Sequence, residues 1–134
     1  MSSCYLDASA LVKLATREPQ TDALRDHLQR YASRATSRLA AVEVGRALAR
    51  RGPESVAVGS GSVREALEGL VIVELTEAIV AVAATLEPAS LRSLDAIHLA
   101  SALALSDELE AFVTYDARLA DAAREAGLSV LAPA

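Results

Sequence analysis

The sequence predicts a three-layer α/β/α sandwich, a central mostly parallel sheet flanked by helices on both faces. Three observations carry that expectation. Short apolar runs rich in β-forming residues alternate with longer segments of helical periodicity, the pattern of strand–helix–strand units. Breakers fall at the joins: Pro19, Gly52-Pro53, Pro88 and Gly127. The length, 134 residues, suits one compact domain with its own core, so residues 1–134 are expected to form a single domain.

Taken in order, Cys4-Tyr5-Leu6 reads as the first strand and Ala8–Thr16 as a helix that Pro19 ends. Thr21–Tyr31 reads as a second helix and Ala35-Thr36 as a short strand. Arg38–Arg51 is a helix stopped by Gly52-Pro53. Gly59-Ser60-Gly61-Ser62 reads as a loop before a helix at Val63–Glu68, and Val71–Leu75 as a strand. Thr76 is a capping residue for a helix running to about Leu86. After Pro88 a helix is expected over Leu94–Leu105, then a strand at Ala111–Tyr115. A helix at Ala117–Ala126 is closed by Gly127, and Leu128–Leu131 is a last short strand.

Composition narrows the function. Hydrophobic residues make up 52% and charged residues 23%, which excludes a disordered chain. Aromatics are only 3% with no Trp, so the core is aliphatic and a base-stacking platform is not expected. Cys4 is the single cysteine and reads as a small buried hydrophobe. No cationic stretch leads into a long apolar run, and the apolar run Ala78–Leu86 is too short for a bilayer, which needs about 20 residues. A reduced, cytoplasmic setting is expected. The net charge of −5 is opposite to the basic field of a general nucleic-acid binder, but it is compatible with an acidic centre that metal ions neutralise.

In parallel sheets of this kind ligands bind beyond the carboxyl ends of the strands. Asp7 follows the first strand there and Asp116 the fourth. Each also reads as a helix N-cap. Glu43 lies within its helix, off the apolar stripe Ala40, Ala41, Val44, Ala47, Leu48, on a face with Arg46 and Arg50. A solvated Glu–Arg pair there contributes about 0.3–0.5 kcal/mol. Asp95 falls on the apolar stripe Leu91, Leu94, His98, Ala102, Leu105, where an unpaired acid is expensive to bury. A helix start near Ser93 puts it in the first turn, where the dipole offsets part of that cost. His98, on the same stripe, reads as a satisfied core histidine. Converging carboxylates need a counter-charge, and Mg²⁺ or Mn²⁺ with hard oxygen ligands supplies it and suits phosphodiester hydrolysis.

At these residues the chain resembles a PIN-domain nuclease, and more narrowly a VapC-type toxin. The matching pieces are Leu6-Asp7-Ala8-Ser9-Ala10-Leu11-Val12-Lys13-Leu14, Glu43 in its helix, Leu94-Asp95-Ala96-Ile97-His98-Leu99-Ala100, and Val113-Thr114-Tyr115-Asp116 followed by Arg118-Leu119. The resemblance runs from Tyr5 to Val130. It implies a PIN-like fold and a metal site formed by Asp7, Glu43, Asp95 and Asp116, with the hydroxyls of Ser9 and Thr114 beside it. It also implies Mg²⁺- or Mn²⁺-dependent endoribonuclease activity on RNA, a homodimer, and a cognate antitoxin that occupies the catalytic groove. Lys13, Arg34, Arg38, Arg46, Arg50 and Arg51 are candidates for RNA phosphate contacts.

Two other readings compete. A phosphoryl-acceptor domain also carries strand-end acids, but this chain has Asp116 where such domains place a lysine, and no acidic pair precedes Asp7. A non-catalytic protein-binding module fits the mean hydropathy of +0.28 and predicts a partner without metal-dependent catalysis.

Overall fold

The computed structural model describes residues 2–52 and 63–134. At its centre lies β1 (Ser3–Leu6), whose side chains are all buried and whose faces alternate as a strand demands. Cys4 and Leu6 point into one half of the core, with Leu11, Leu24, Leu28, Val44 and Leu48. Tyr5 points into the other, with Leu99, Phe112 and Leu119. Its ring stacks on Phe112 at 5.4 Å between centroids, nearly parallel. Truncating Phe112 to Ala is expected to cost about 3–5 kcal/mol, because an aliphatic core has little else of that size to refill the space.

The chain continues through α1 (Ala8–Ala15), α2 (Thr21–Leu28), β2 (Ser33–Ser37), α3 (Ala40–Ala49), a helical stretch at 63–67 and β3 (Val71–Val73). It then forms α4 (Glu77–Thr85), α5 (Ser93–Leu103), β4 (Leu109–Val113), α6 (Ala117–Glu125) and β5 (Val130–Leu131). The five strands lie in the order β3-β2-β1-β4-β5, and every neighbouring pair is parallel. Helices α1, α2 and α3 supply one core half, and α5 and α6 the other, so the predicted three-layer α/β/α sandwich is the observed fold. The chain adds strands outward from β1 to β3, then crosses to the other side of β1 to lay down β4 and β5. The carboxyl ends of β1 and β4 therefore flank the switch point of the sheet, where open α/β sheets bind ligands.

Boundaries differ from expectation for local reasons. Helix α2 stops at Leu28 rather than Tyr31, because the amides of Gln29, Arg30 and Tyr31 bond carbonyls three residues back and tighten the chain into turns. β4 begins early, at Leu109 opposite Ser3, and ends at Val113 opposite Leu6, so Thr114 and Tyr115 lie beyond the strand. β3 ends at Val73. Ala41, expected on the buried stripe of α3, is exposed, whereas Ala40, Val44 and Leu48 are buried. Leu94, expected on the stripe of α5, is 47% exposed. Thr76 caps α4 through a bond from the Ile79 amide, as predicted. Gly127 has φ +95, the left-handed conformation that ends α6 without a Cβ penalty. The Gly59–Ser62 loop lies outside the described residues. No helix among the described residues is long and apolar enough to cross a membrane.

Candidate active site

Asp7 sits in the sharp turn from β1 into α1. Its backbone is extended, as an N-cap requires, and its amide still bonds the Val113 carbonyl at 3.2 Å, so sheet and helix both fix it. The carboxylate is buried and fully engaged. Oδ1 accepts from the Ser9 hydroxyl at 2.7 Å and the Ala10 amide at 3.0 Å. Oδ2 accepts from the Thr114 hydroxyl at 2.6 Å. Burial pushes the Asp7 pKa above the usual carboxylate range, against the pull of these bonds and of His98. The two hydroxyls inferred from resemblance thus bond Asp7 directly.

Thr114 and Ser9 also join Asp7 to the chain leaving β4. The Ser9 oxygen accepts from the Tyr115 amide at 2.9 Å and the Thr114 oxygen from the Asp116 amide at 3.0 Å. Asp116 in turn caps α6, its Oδ1 accepting from the Leu119 amide at 2.9 Å. Both strand-end aspartates are therefore N-caps, and the capping role is the means by which the fold aims them.

Glu43 arrives from α3 and does not lie on a solvated face with the arginines. Its Oε1 is 2.7 Å from Nε2 of His98. His98, buried on α5, has Nδ1 2.7 Å from the Tyr5 hydroxyl. Burial pushes the Tyr5 phenol far up, so it bonds Nδ1 as a neutral hydroxyl. On the other side of the ring Nε2 faces a carboxylate oxygen and donates to Glu43. Sequence reasoning expected His98 to be a satisfied core histidine, which it is. It did not foresee that one of the partners is Glu43, and it missed Tyr5. The available signal was the phenol itself, since a buried tyrosine hydroxyl must find a partner.

Asp95 lies in the first turn of α5, as the Ser93 start implied, and is partly buried. Its pKa is raised, first by burial, then by the negative charges of Asp116 and Asp7 and, against the help of His98, of Glu43. The four acids thus share one electrostatic neighbourhood. Among the described residues, no three His, Cys, Asp or Glu side chains stand in metal-holding geometry. By donor type and charge the four carboxylates fit a hard divalent cation; they do not form a preformed cage.

Several expected RNA contacts have acidic neighbours. Lys13 Nζ is 3.2 Å from Glu18 and 4.6 Å above the centre of the Tyr115 ring. Arg38 Nε bonds both oxygens of Glu74 at 3.1 Å, and Arg51 bonds Glu18 at 3.2 Å. The Arg34 guanidinium donates to the Leu28 carbonyl at 3.2 Å. Arg46 and Arg50 are exposed at and after the end of α3 and make no ion pair among the described residues.

The PIN domain family model matches residues 4–125. Ribonuclease VapC46 of Mycobacterium tuberculosis (strain ATCC 25618 / H37Rv) is 44% identical over 133 residues, 99% of each chain. Ribonuclease VapC47 of Mycobacterium tuberculosis (strain CDC 1551 / Oshkosh) is 45% identical over 133 residues, 96% of each chain. Among solved structures, a chain of VapBC2 from Rickettsia felis, crystallised with a promoter DNA fragment, superposes with a TM-score of 0.74. That match covers 98% of this chain and 99% of the other at 13% identity, a likeness of fold. Matched by the domain over nearly all of its length, and by these relatives from end to end, the chain belongs to the PIN-domain family, in its VapC branch.

Proposed function

We propose that this chain is a metal-dependent endoribonuclease, the toxin of a toxin–antitoxin pair, with Asp7, Glu43, Asp95 and Asp116 as its site. The observation that carries this reading is the environment of Asp95, whose pKa is raised first by burial and then by the charges of Asp116, Asp7 and Glu43, with His98 pulling the other way. Helix capping accounts for Asp7 and Asp116 singly, but gathering four acids in one field costs repulsion, which a cationic counter-charge relieves.

Asp7, Glu43, Asp95 and Asp116 would hold Mg²⁺ or Mn²⁺; when bound, such an ion supplies Lewis acidity toward a phosphoryl oxygen and acidifies a water. The chain's own residues do the rest. The Ser9 and Thr114 hydroxyls hold both oxygens of Asp7 in one orientation, and the Thr114 oxygen receives the Asp116 amide, which ties the two strand-end acids together. His98 orients Glu43 from the opposite layer. Burial of Asp7 keeps bulk water from competing for its oxygens.

RNA as substrate, and a cognate antitoxin and homodimer as partners, follow from membership of the VapC branch. Val80 and Val82, about half exposed on α4, support an interface with another protein chain. The test is to incubate inhibitor-free protein with total bacterial RNA and Mg²⁺ or Mn²⁺, beside an EDTA control and Asp7→Asn. Discrete fragments that need both the metal and Asp7 are expected. Equal cleavage in EDTA, or by Asp7→Asn, overturns the reading.

A further inference from the structure

A cleft of about 350 Å³ opens beside the acid cluster, between the N-terminal end of α5 and the outer face of α6. Asp95 lines it, so the cleft and the candidate active site share a wall. Its volume lies at the small end of the range for pockets that take single small molecules, about 300–1,000 Å³. A duplex or a partner helix does not fit such a space, but one extruded nucleotide does.

The charges in the cleft are placed in a way that stability does not explain. Arg92 is the N-cap residue of α5, and Arg118 is the second residue of α6. A cation at a helix N-terminus opposes the helix dipole, whereas an anion there is favoured. Neither arginine makes an ion pair or side-chain hydrogen bond among the described residues. Both line the same cleft. The same lining carries three acids, Asp95, Asp121 and Glu125; Asp121 has Arg124 as its partner, at 3.4 Å. Leu91, half-buried, supplies apolar surface between the charges, over a floor closed by the buried Ala122.

We propose that this cleft is a nucleotide subsite of the ribonuclease. It seats a nucleotide next to the scissile phosphate, with Arg92 and Arg118 gripping backbone phosphates and the base or ribose lying against Leu91. This rests on the ribonuclease reading and adds a path to it: the RNA runs over the N-terminal ends of α5 and α6, where the arginine forks meet phosphate oxygens. The arginines most visible in the sequence, those of α3, are not part of this cleft.

The test uses the Asp7→Asn protein, free of any inhibitor, and a short fluorescein-labelled single-stranded RNA of randomised sequence. Binding is followed by anisotropy across a range of salt. Arg92→Ala and Arg118→Ala together are expected to weaken binding on the order of ten-fold, and each to lower the slope of log affinity against log salt by about 0.7. Lysine at either position is expected to keep the slope while losing part of the affinity. Both side chains are exposed, so unchanged circular dichroism is expected and separates contact from folding. No measurable RNA binding, or affinity and slope unchanged in the double variant, overturns the proposal and leaves the cleft to a protein partner. Metal-dependent cleavage by the wild type is scored separately, so loss of the subsite and loss of the nuclease reading are distinguishable.

Discussion

Nε2 of His98 and Oε1 of Glu43 are 2.7 Å apart, across 55 residues of sequence, and they join the two helical layers at one end of the sheet. With the Tyr5 hydroxyl on Nδ1, the imidazole is held at both nitrogens. Its ring orientation is fixed, and with it the pose of Glu43. His98→Ala leaves the Tyr5 hydroxyl without its partner and a hole in the core. It is expected to cost about 2–4 kcal/mol in urea unfolding. In the folded fraction, cleavage is expected to fall about 10–100-fold, as when the support of a ligating group is removed. A folded His98→Ala protein that cleaves at the wild-type rate contradicts the role given to this bond.

Thr114 donates to Asp7 and accepts from the Asp116 amide. Valine has the same shape and can do neither. Thr114→Val is expected to raise the Asp7 pKa further, to destabilise the fold by about 1–3 kcal/mol, and to slow cleavage at least ten-fold. Thr114→Ser keeps the hydroxyl and is expected to retain most of both. Unfolding curves and initial rates measured side by side separate the two variants. Equal behaviour of Val and Ser at this position rules out the hydroxyl as the cause.

Asp7 poses two opposing effects on stability. Charge repulsion and burial favour removing the carboxylate, whereas Ser9, Ala10 and Thr114 all donate to it. Asp7→Ala loses the cap, about 1 kcal/mol, and orphans two hydroxyls. Asp7→Asn keeps an acceptor for Ser9 and Ala10, and the Thr114 hydroxyl can turn to accept. In metal-free buffer Asp7→Asn is therefore expected to melt above the wild type and Asp7→Ala below it. Thermal denaturation in EDTA checks the order; Asp7→Ala melting above the wild type shows that repulsion and burial outweigh the hydrogen bonds, and Asp7→Asn melting below it shows the opposite.

The raised pKa of Asp95 makes metal-free stability depend on pH. A carboxyl group whose folded pKa lies above its unfolded value binds its proton more tightly when folded. Its contribution is present in full below the unfolded value, near the ordinary carboxylate range, and is lost as pH rises through the folded pKa. Asp95→Asn has no such charge to lose. Its advantage in melting temperature over the wild type, measured in EDTA, is expected to be small in acid and to grow toward neutral pH. An advantage that does not change with pH contradicts the shared field.

What the sequence made legible was what local pattern encodes. The strand–helix alternation, the cap at Thr76 and the positions of Asp7 and Asp116 at strand ends depend on neighbours a few residues away. By pattern Glu43 was legible only as a helix position near arginines, because its partner stands on another helix; it was the family resemblance that put it with the other acids. The field on Asp95 likewise comes from three distant segments. Leu94 belongs to the helical period of α5, yet it is exposed. Periodicity gives the angle of a side chain around its helix, but the neighbours that cover it are a matter of topology. The strand order, with β1 between β2 and β4, was not written in any local signal, although it creates the switch point at which Asp7 and Asp116 meet.

The central claim is that Asp7, Glu43, Asp95 and Asp116 together hold a divalent cation. Titration of the purified chain with Mn²⁺, with free ion read by electron paramagnetic resonance, tests it without any need for the RNA target. The account predicts saturable binding to the wild type that is lost or weakened at least ten-fold by Asp7→Asn and by Asp95→Asn, both still folded. Binding of equal strength in the wild type and in both variants would mean that the acids are gathered for some other purpose.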